Sequence, residues 1–380
     1  MSSKQQPLKI AFDAKRAFNN STGLGNYARF VIRTLVHYYP QHTYYLFTPQ
    51  IAPQFADFMQ PLPNVKIVSP QSLIGKTFAS LWRTYAISNI CTVLGIDVYW
   101  GLSNELPVGI EYFNGKKIVT IHDLIFLRYP GYYNNIDRYI YQRKFSYAAR
   151  VANCIVAVSS QTAVDVHTFL SQPQEKITTI YQDCDPIFRK DSAEQNDMLV
   201  LEKNGLQRAQ YILCVGTIES RKNQQVVLEA FHQAAIKGIK LVFVGRKTAY
   251  VSVLERYIIK HNLEDRVLFI DNLPHQHLPA LYHLAYASVY ASKFEGFGIP
   301  ILEAMCCGVP VIAAATSSLT EVGGEACLYF APDDVPSLVS HLHNLADADM
   351  RSTIIQNGLV RAESFKTDVI APQMLNVLGI

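Results

Sequence analysis

Short apolar segments alternate with helix-length segments along the first half of the chain. Runs that suit buried strands lie at Leu8 to Phe12, Tyr44 to Phe47, Val65 to Val68, Val98 to Trp100, Ile118 to Ile121 and Cys154 to Val158. Between them, apolar residues recur three and four positions apart, as in Tyr27, Phe30, Val31 and Leu35. Strands that alternate with helices predict an α/β fold with a parallel sheet covered on both faces.

The second half of the chain repeats this pattern. Its strand candidates are Tyr211 to Val215, Leu241 to Val244, Val267 to Ile270, Ser288 to Ala291 and Pro310 to Ala313. Helical spacing occurs in Gln224 to Ala235, Val251 to His261, Ile299 to Cys307 and Ser337 to Leu345. We therefore expect a second Rossmann-like, doubly wound parallel-sheet domain.

A polar segment separates the two patterns. Asp183 to Gln207 lacks apolar periodicity, which suits a linker and a short lead-in to the next sheet. We place the boundary at residue 190, which gives domains 1–190 and 191–364. Because ligands of open parallel sheets bind at the carboxyl ends of the strands, we expect an interdomain cleft with the functional residues at strand ends.

Composition narrows the class of protein. Apolar residues make up 49% of the chain and charged residues 17%, which argues against an intrinsically disordered protein. No apolar run approaches the roughly 18 residues that cross a bilayer, and the N-terminus has no signal-peptide core, so a cytoplasmic protein is expected. The seven cysteines include no C-x-x-C pair, which argues against a zinc or redox site.

The charge is distributed unevenly. Lys and Arg outnumber Asp and Glu in residues 1–190, and the balance reverses in the remainder. Basic residues alternate with tyrosines between Arg138 and Arg150, which suits peripheral contact with anionic lipids of the inner membrane or with a phosphorylated acceptor. A solvated helix face explains the same pattern. A nucleic-acid partner is not expected, because no binding motif accompanies the basic residues.

Two motifs in the first half lie at predicted strand ends. Gly23-Leu24-Gly25 opens a helix after the first strand, where backbone amides and the helix dipole suit an anionic ligand. A tight strand-to-helix turn explains this loop equally well. His122 follows the strand that ends at Ile121 and suits a polar contact or a proton shuttle, whereas a histidine that hydrogen-bonds within its own loop is the plain alternative.

Two motifs in the second half carry more specific chemistry. Arg221 and Lys222 follow a strand and precede a helix, where guanidinium and ammonium groups suit a diphosphate; an exposed basic turn is the alternative. Glu295 lies in a glycine-containing loop and Glu303 lies within the helix that follows, so the two carboxylates suit different parts of one ligand. By spacing alone, Glu303 is equally compatible with an ordinary helix surface.

Together these motifs resemble the family-four retaining glycosyltransferases of the GT-B fold, the glycosyl transferases group 1. The resemblance rests on E-G-F-G-I-P-I-L-E, V-G-T-I-E-S-R-K-N, T-G-L-G-N and I-H-D, which occur in the expected order over nearly the whole chain. It implies that domain 1–190 binds the acceptor and that domain 191–364 binds the nucleotide sugar, with Arg221 and Lys222 on its diphosphate. It also implies that Glu303 binds the ribose and that Glu295 contacts the donor sugar near the reaction centre.

The resemblance implies further roles. Amides around Phe297, Gly298 and Ile299 would stabilise the leaving diphosphate, so no metal and no other cofactor is expected. His122 would contact the donor sugar, and the Gly23-x-Gly25 loop would close over the phosphates or the acceptor. Segment 365–380 resembles the family's last helix, which crosses back to the N-terminal domain.

The run from His122 to Pro130 is most similar to bacterial mannosyltransferases that build O-antigen or capsular glycans. The resemblance implies retaining transfer of a hexose, mannose from GDP-mannose, to a growing lipid-linked or lipopolysaccharide glycan. The leaving phosphate would help to deprotonate the acceptor, and double displacement through Glu295 stays open. A UDP-sugar-dependent transferase, a sugar-nucleotide epimerase and a catalytically silent nucleotide-sugar-binding subunit are the alternatives.

Overall fold

The computed structural model describes residues 6–71, 77–189 and 194–379 and divides the chain into two compact units. The first unit contains Met1–Asp183 and Lys366–Ile380, and the second contains Cys184–Phe365. Each unit is built on one parallel sheet with helices in the connections, so the predicted α/β class is confirmed. The acceptor-binding and donor-binding roles assigned to the domains stay predictions.

Seven described strands form the sheet of the first unit in the order β3-β2-β1-β4-β5-β6-β7. They are β1 (Lys9–Asp13), β2 (Thr43–Phe47), β3 (Val65–Val68), β4 (Val98–Gly101), β5 (Lys116–Ile121), β6 (Cys154–Ala157) and β7 (Ile177–Thr179). The α-helices are Lys15–Asn19, Gly23–Tyr38, Ala79–Leu81, Ile87–Leu94, Ile125–Arg128, Asn135–Val151 and Ser160–Leu170, and a π-helical turn spans Trp82–Ala86. Every residue of β4 is buried, because helices cover both faces of the sheet.

Six described strands form the sheet of the second unit in the order β10-β9-β8-β11-β12-β13. They are β8 (Tyr211–Val215), β9 (Lys240–Val244), β10 (Val267–Ile270), β11 (Ala287–Tyr290), β12 (Val311–Ala314) and β13 (Cys327–Phe330). The α-helices are Glu194–Lys203, Gln224–Ala234, Val251–Lys260, Leu278–His283, Ile299–Cys306, Ser317–Gly323, Val335–Asn344 and Ala348–Glu363.

Both sheets have a point at which the strand order reverses. In the first unit it lies between β1 and β4, and in the second it lies between β8 and β11. The chain leaves the carboxyl ends of these neighbouring strands toward opposite faces of the sheet, which opens a crevice between the two connections. Ligands of doubly wound sheets bind at such crevices, so the residues after these four strands are the first candidates for function.

The polar segment from Asp183 to Gln207 contains more structure than the predicted linker. The described part includes a 3₁₀ turn at Pro186–Arg189 and the helix Glu194–Lys203. This helix buries only Leu201 and Asp197, and Asp197 accepts a hydrogen bond from His283 Nδ1 at 2.9 Å. A helix with so few buried apolar residues has little apolar periodicity in its sequence, which explains why it was missed.

The C-terminal helix Thr367–Leu378 belongs to the first unit and packs against the helix Gly23–Tyr38. Asp183 Oδ2 accepts hydrogen bonds from the backbone N–H and the hydroxyl of Thr367, at 3.1 and 3.0 Å. Asp185 Oδ1 accepts the backbone N–H of Ile187 at 3.1 Å. The carboxylates of Asp183 and Asp185 therefore cap a helix start and a turn, as carboxylates after extended segments commonly do. In the described part of the chain, no helix combines the length and the apolar character needed to cross a bilayer.

Candidate active site

The reversal point of the second sheet brings together two predicted motifs. The 3₁₀ turn Ser220–Lys222 follows β8, and the loop that contains Glu295 follows β11. The two segments are also joined directly, because the backbone N–H of Lys293 donates to the carbonyl of Arg221 at 2.9 Å. Charged side chains from two distant parts of the sequence thus lie together at one edge of the sheet.

Glu295 forms the centre of this charge cluster. Its Oε1 accepts hydrogen bonds from Arg221 Nη1 at 2.9 Å and from Lys222 Nζ at 2.6 Å. The same oxygen accepts the Ser292 hydroxyl. Arg221 is held further by Glu219 at 2.6 Å, and Lys222 Nζ donates to the Tyr290 hydroxyl at 2.7 Å.

The charge state of Glu295 follows from these neighbours. Burial acts to raise the pKa of its carboxyl group, but the Lys222 and Arg221 cations outweigh burial and lower the pKa to about 2. Glu295 is therefore a carboxylate at neutral pH. Its backbone is also fixed, because the N–H donates to Ser317 Oγ at 3.0 Å and the carbonyl accepts from Ser318 Oγ at 2.9 Å.

The predicted amide cluster lies at the start of the helix Ile299–Cys306. Gly298 precedes the helix with φ +102°, a backbone conformation that residues with a side chain rarely adopt, and a Cβ there would also force Leu319 Cδ2, 2.7 Å away, to move. The Phe297 side chain is buried edge-on against Phe365, with ring centroids 5.9 Å apart. The backbone at Phe297, Gly298 and Ile299 thus turns tightly into a helix N-terminus, a geometry that suits an anion.

Glu303 lies in the same helix but in a different environment. Its side chain is buried, and its Oε2 accepts the Tyr282 hydroxyl at 3.1 Å. Burial raises the pKa of Glu303 to about 7, and the lowering effects of His275 and Tyr282 are too small to reverse it. The helix-surface alternative is thereby excluded, whereas the contact with ribose hydroxyls stays a prediction.

Replacing Glu303 by glutamine should make stability less dependent on pH. The folded-state pKa of about 7 lies above the ordinary value of 4.5, so the stability contributed by the protonated carboxyl is complete below pH 4.5 and is lost as the pH rises through 7. Between pH 5 and pH 8, we expect the free energy of unfolding of Glu303→Gln, measured with urea, to rise relative to that of the wild type by on the order of 2 kcal/mol. A difference in unfolding free energy that stays constant across this pH range would contradict the raised pKa of Glu303.

His122, predicted as a site residue, belongs to the first unit and follows β5. Its Nε2 lies 2.9 Å from the Leu102 carbonyl, and because a carbonyl only accepts, Nε2 carries the proton. The Tyr27 ring packs edge-on against the imidazole at 4.6 Å. Burial lowers the pKa of His122 to about 4, so the ring is neutral at physiological pH and Nδ1 is its acceptor atom. A neutral acceptor suits contact with a sugar hydroxyl better than delivery of a proton, and the contact of His122 with the donor sugar stays a prediction.

The Gly23-x-Gly25 loop opens the helix Gly23–Tyr38 as predicted, and the two glycines differ in their surroundings. A Cβ on Gly25 would lie 1.8 Å from the Asn20 carbonyl oxygen, whereas no atom lies within 4 Å of a Cβ on Gly23. The Gly25 N–H donates to the Thr22 carbonyl at 2.9 Å. Gly25 is thus required by the close approach of two backbone segments, and contact of this loop with a ligand stays a prediction.

Alanine substitutions should separate these two glycines. Gly25→Ala forces the Asn20 backbone to move and should cost about 1–3 kcal/mol of unfolding free energy. Gly23→Ala should be neutral or slightly stabilising, because alanine lowers the entropy of the unfolded chain and fits the helix. The urea midpoints of the two variants measure this difference, and equal midpoints would contradict the backbone contact at Gly25.

Three side chains of the site were not predicted from the sequence. Ser292 and Tyr290 contact Glu295 and Lys222, and Tyr282 contacts Glu303. Tyr290 lies in β11 and Ser292 just after it, so their position near a strand end was the one available signal. Within residues 6–71, 77–189 and 194–379, no cluster of His, Cys, Asp and Glu side chains is arranged to hold a metal ion. Metal independence stays a prediction.

Two parallel sheets, with carboxylates and cations at the strand ends of the second unit, fit the GT-B fold that the sequence motifs predicted. Residues 200–359 match the family described as glycosyl transferases group 1. The chain is 31% identical over 284 residues to O-antigen chain mannosyltransferase B of Escherichia coli, which covers 73% of each protein. The chain belongs to the glycosyl transferases group 1 family.

A second relative and a solved structure are also similar to this chain. The chain is 27% identical over 230 residues to the O-antigen chain mannosyltransferase RfbU of Salmonella typhimurium, which covers 60% of this chain and 61% of the relative. The crystal structure of HepE from Anabaena in complex with UDP matches the fold with a TM-score of 0.75 at 16% sequence identity, over 98% of this chain and 99% of HepE. The similarity to HepE supports the fold alone, because the sequence identity is low.

Proposed function

We propose that this enzyme transfers mannose from GDP-mannose, with retention of configuration, to a growing lipid-linked or lipopolysaccharide glycan. The names of its relatives support this choice, because two proteins that share 31% and 27% of their aligned residues with the chain are O-antigen mannosyltransferases. Family membership alone leaves the sugar open, so the choice of mannose rests on these two relatives, whereas the site supports a sugar carried on a diphosphate.

The observation that carries the proposal is the pairing of Glu295 with Arg221 and Lys222 at the reversal point of the second sheet. A guanidinium beside an ammonium suits the non-bridging oxygens of a diphosphate. The diphosphate oxygens of the donor would then bind Arg221 and Lys222, the two cations that Glu295 contacts in this structure. The carboxylate, fixed through its backbone by Ser317 and Ser318, would lie next to the sugar attached to that diphosphate.

This arrangement suggests the roles in the reaction. Arg221, Lys222 and the helix N-terminus after Gly298 stabilise the negative charge that develops on the leaving diphosphate, the task that a divalent metal performs in other enzymes. The Glu295 carboxylate stabilises the positive charge that develops on the sugar. The leaving phosphate accepts the proton of the acceptor hydroxyl on the same face, which retains the configuration. Covalent attack by Glu295 is the second route that the geometry permits.

Calorimetric titration with GDP, UDP, ADP and TDP and with their sugars tests the donor. We expect GDP and GDP-mannose to bind at least about tenfold more tightly than the uridine nucleotides, which corresponds to about 1.4 kcal/mol. A preference for a uridine nucleotide would overturn the choice of mannose and leave the family intact. If no nucleotide binds, the catalytically silent subunit that binds nucleotide sugars is also excluded.

We further propose that the helix Asn135–Val151 contacts anionic membrane lipids. Ile136 and Tyr139 on this helix are 73% and 60% exposed, and Arg138 lies between them. Exposed aromatic and apolar side chains among basic ones suit the headgroup region of a bilayer. In a sedimentation assay, the wild type should pellet with vesicles that contain phosphatidylglycerol, whereas Ile136→Ser/Tyr139→Ser should stay in the supernatant. Equal amounts of the two proteins in the pellet would contradict the contact.

A further inference from the structure

The reversal point of the first sheet carries a second group of charged side chains. Asp13 ends β1, and after Ala14 the residues Lys15 and Arg16 begin the next helix. Arg83 comes from the π-helical turn Trp82–Ala86, and π-helical turns occur frequently at functional sites. Glu105 follows β4, the strand on the other side of the reversal point. Open doubly wound sheets bind ligands at this position, and none of these five side chains has a role in the proposed transfer.

The acidic residues of this group already have partners. Arg83 donates to Asp13 Oδ2 through Nε at 2.8 Å and to Glu105 Oε2 through Nη1 at 2.7 Å. The other Glu105 oxygen accepts Lys144 Nζ at 3.1 Å. Arg83, which is largely buried, is thus fixed by both carboxylates, and neither Asp13 nor Glu105 pairs with Lys15 or Arg16.

Lys15 and Arg16 differ from the other cations of the group. Among the described residues, neither side chain has an ion pair or a hydrogen-bond partner. Both are half-buried. Burial lowers the pKa of the Lys15 ammonium, and the neighbouring Arg83 and Arg16 charges lower it further; Asp13 and Glu105 act in the opposite direction but do not reverse this, so an anion at this point would relieve the remaining repulsion. Arg16 also acts on His122, which places the group near the end of β5.

We propose that Lys15 and Arg16, with Arg83 behind them, bind the phosphate of a phosphorylated acceptor glycan. This rests on the proposed transfer, in which Arg221 and Lys222 of the other unit already bind the donor diphosphate. With Lys144, which pairs with Glu105, the group has four cations and two carboxylates, and the net charge of +2 matches a phosphate monoester or a diphosphate better than a single carboxylate. The nearby neutral His122 would then face the hydroxyl-bearing sugars.

A double variant, Lys15→Met/Arg16→Gln, tests the phosphate site without reference to the donor. Inorganic pyrophosphate is titrated calorimetrically in an Arg221→Ala/Lys222→Ala background, which removes the donor-phosphate cations. We expect the double variant to weaken pyrophosphate binding by at least about tenfold, because two charge-assisted contacts are lost. Arg33→Gln/Lys66→Met removes two exposed charges elsewhere in the first unit and should leave the affinity unchanged. Equal affinity in both double variants would overturn the site.

Kinetics distinguish an acceptor phosphate from other anions. The same glycan is supplied either on a prenyl diphosphate or on a neutral alkyl chain. The wild type is compared with Lys15→Met/Arg16→Gln and with Arg33→Gln/Lys66→Met, and Arg221 and Lys222 are unchanged in all three proteins. Lys15→Met/Arg16→Gln should raise the KM of the diphosphate-linked acceptor at least about tenfold more than that of the neutral acceptor. An equal rise in KM for both acceptors, or an equally large loss of affinity for the donor nucleotide, would refute the assignment. If the wild type transfers to neither acceptor, the proposed function fails, and the pyrophosphate titration still decides the site.

Discussion

Glu295→Gln is expected to reduce the rate of sugar transfer by at least about two orders of magnitude, which is the scale of losing one electrostatic contact to a transition state. The side chain keeps its shape and loses its charge, so the developing positive charge on the sugar is no longer stabilised. Binding of the nucleoside diphosphate should be retained or strengthened, because Arg221 and Lys222 lose the carboxylate that now occupies them.

Glu219→Gln is the matched control for this substitution. Glu219 also pairs with Arg221, at 2.6 Å, but its side chain is 35% exposed and forms no ion pair with Lys222, whose backbone N–H donates to the Glu219 carbonyl at 3.0 Å. An exposed pair contributes about 1 kcal/mol at most, so the rate should change by no more than about fivefold. Single-turnover assays with both variants, accompanied by thermal unfolding, separate loss of catalysis from loss of folding. A Glu295→Gln enzyme that transfers at the wild-type rate would contradict the role of this carboxylate.

Arg221→Ala and Lys222→Ala are each expected to weaken nucleoside diphosphate binding by about 10-fold to 100-fold. Each substitution removes a charge-assisted hydrogen bond to phosphate, and such bonds contribute about 1.5–3 kcal/mol. The apo protein should also lose stability, because the Glu295 side chain is only 13% exposed and would keep one cationic partner instead of two.

Calorimetry with GDP measures this loss, and Lys260→Met provides the control. Lys260 is an exposed lysine at the end of the helix Val251–Lys260 of the same unit, and removing its charge should not change GDP affinity. Saturating GDP should increase the stability of the wild type more than that of either cation variant. A ligand that binds only the folded state stabilises that state, and tighter binding stabilises it more. Equal GDP affinity in Arg221→Ala and in Lys260→Met would contradict the diphosphate clamp.

The sequence predicted the two parallel sheets because their strands are buried on both faces and read as nearly continuous apolar runs. The strands that were missed, β7 and β13, have three and four residues and lie at sheet edges, where burial is incomplete. The helix Ala348–Glu363 was missed for a related reason. Its fully buried residues, Gly358 and Ala362, are small and contribute little to an apolar pattern.

The site was only partly accessible to sequence reasoning. Motif order predicted that the residues around 221 and 295 belong together, although 74 positions separate Arg221 from Glu295. Their direct contact depends on β8 lying next to β11, which is a property of the strand order. The same applies to Lys15, Arg16 and Arg83, because Arg83 approaches β1 from a distant turn and leaves no local signal in the sequence.

The raised pKa of Glu303 shows a further limit of the sequence. Spacing placed this carboxyl in a helix but left its surroundings open, with an exposed helix face as the alternative. Its burial beside Tyr282 depends on how the helices Leu278–His283 and Ile299–Cys306 pack together, and that packing sets the pKa. The charge of a buried group therefore had to be taken from the structure.

One measurement tests the central claim most directly. Purified enzyme is incubated with GDP-α-mannose, an acceptor glycan and excess EDTA, and the product is followed by proton NMR. The account predicts release of GDP together with an α-linked mannose on the acceptor, at a rate that EDTA does not change. A β-linked product, a mannose converted to another sugar without acceptor, or no transfer from GDP-mannose would contradict it.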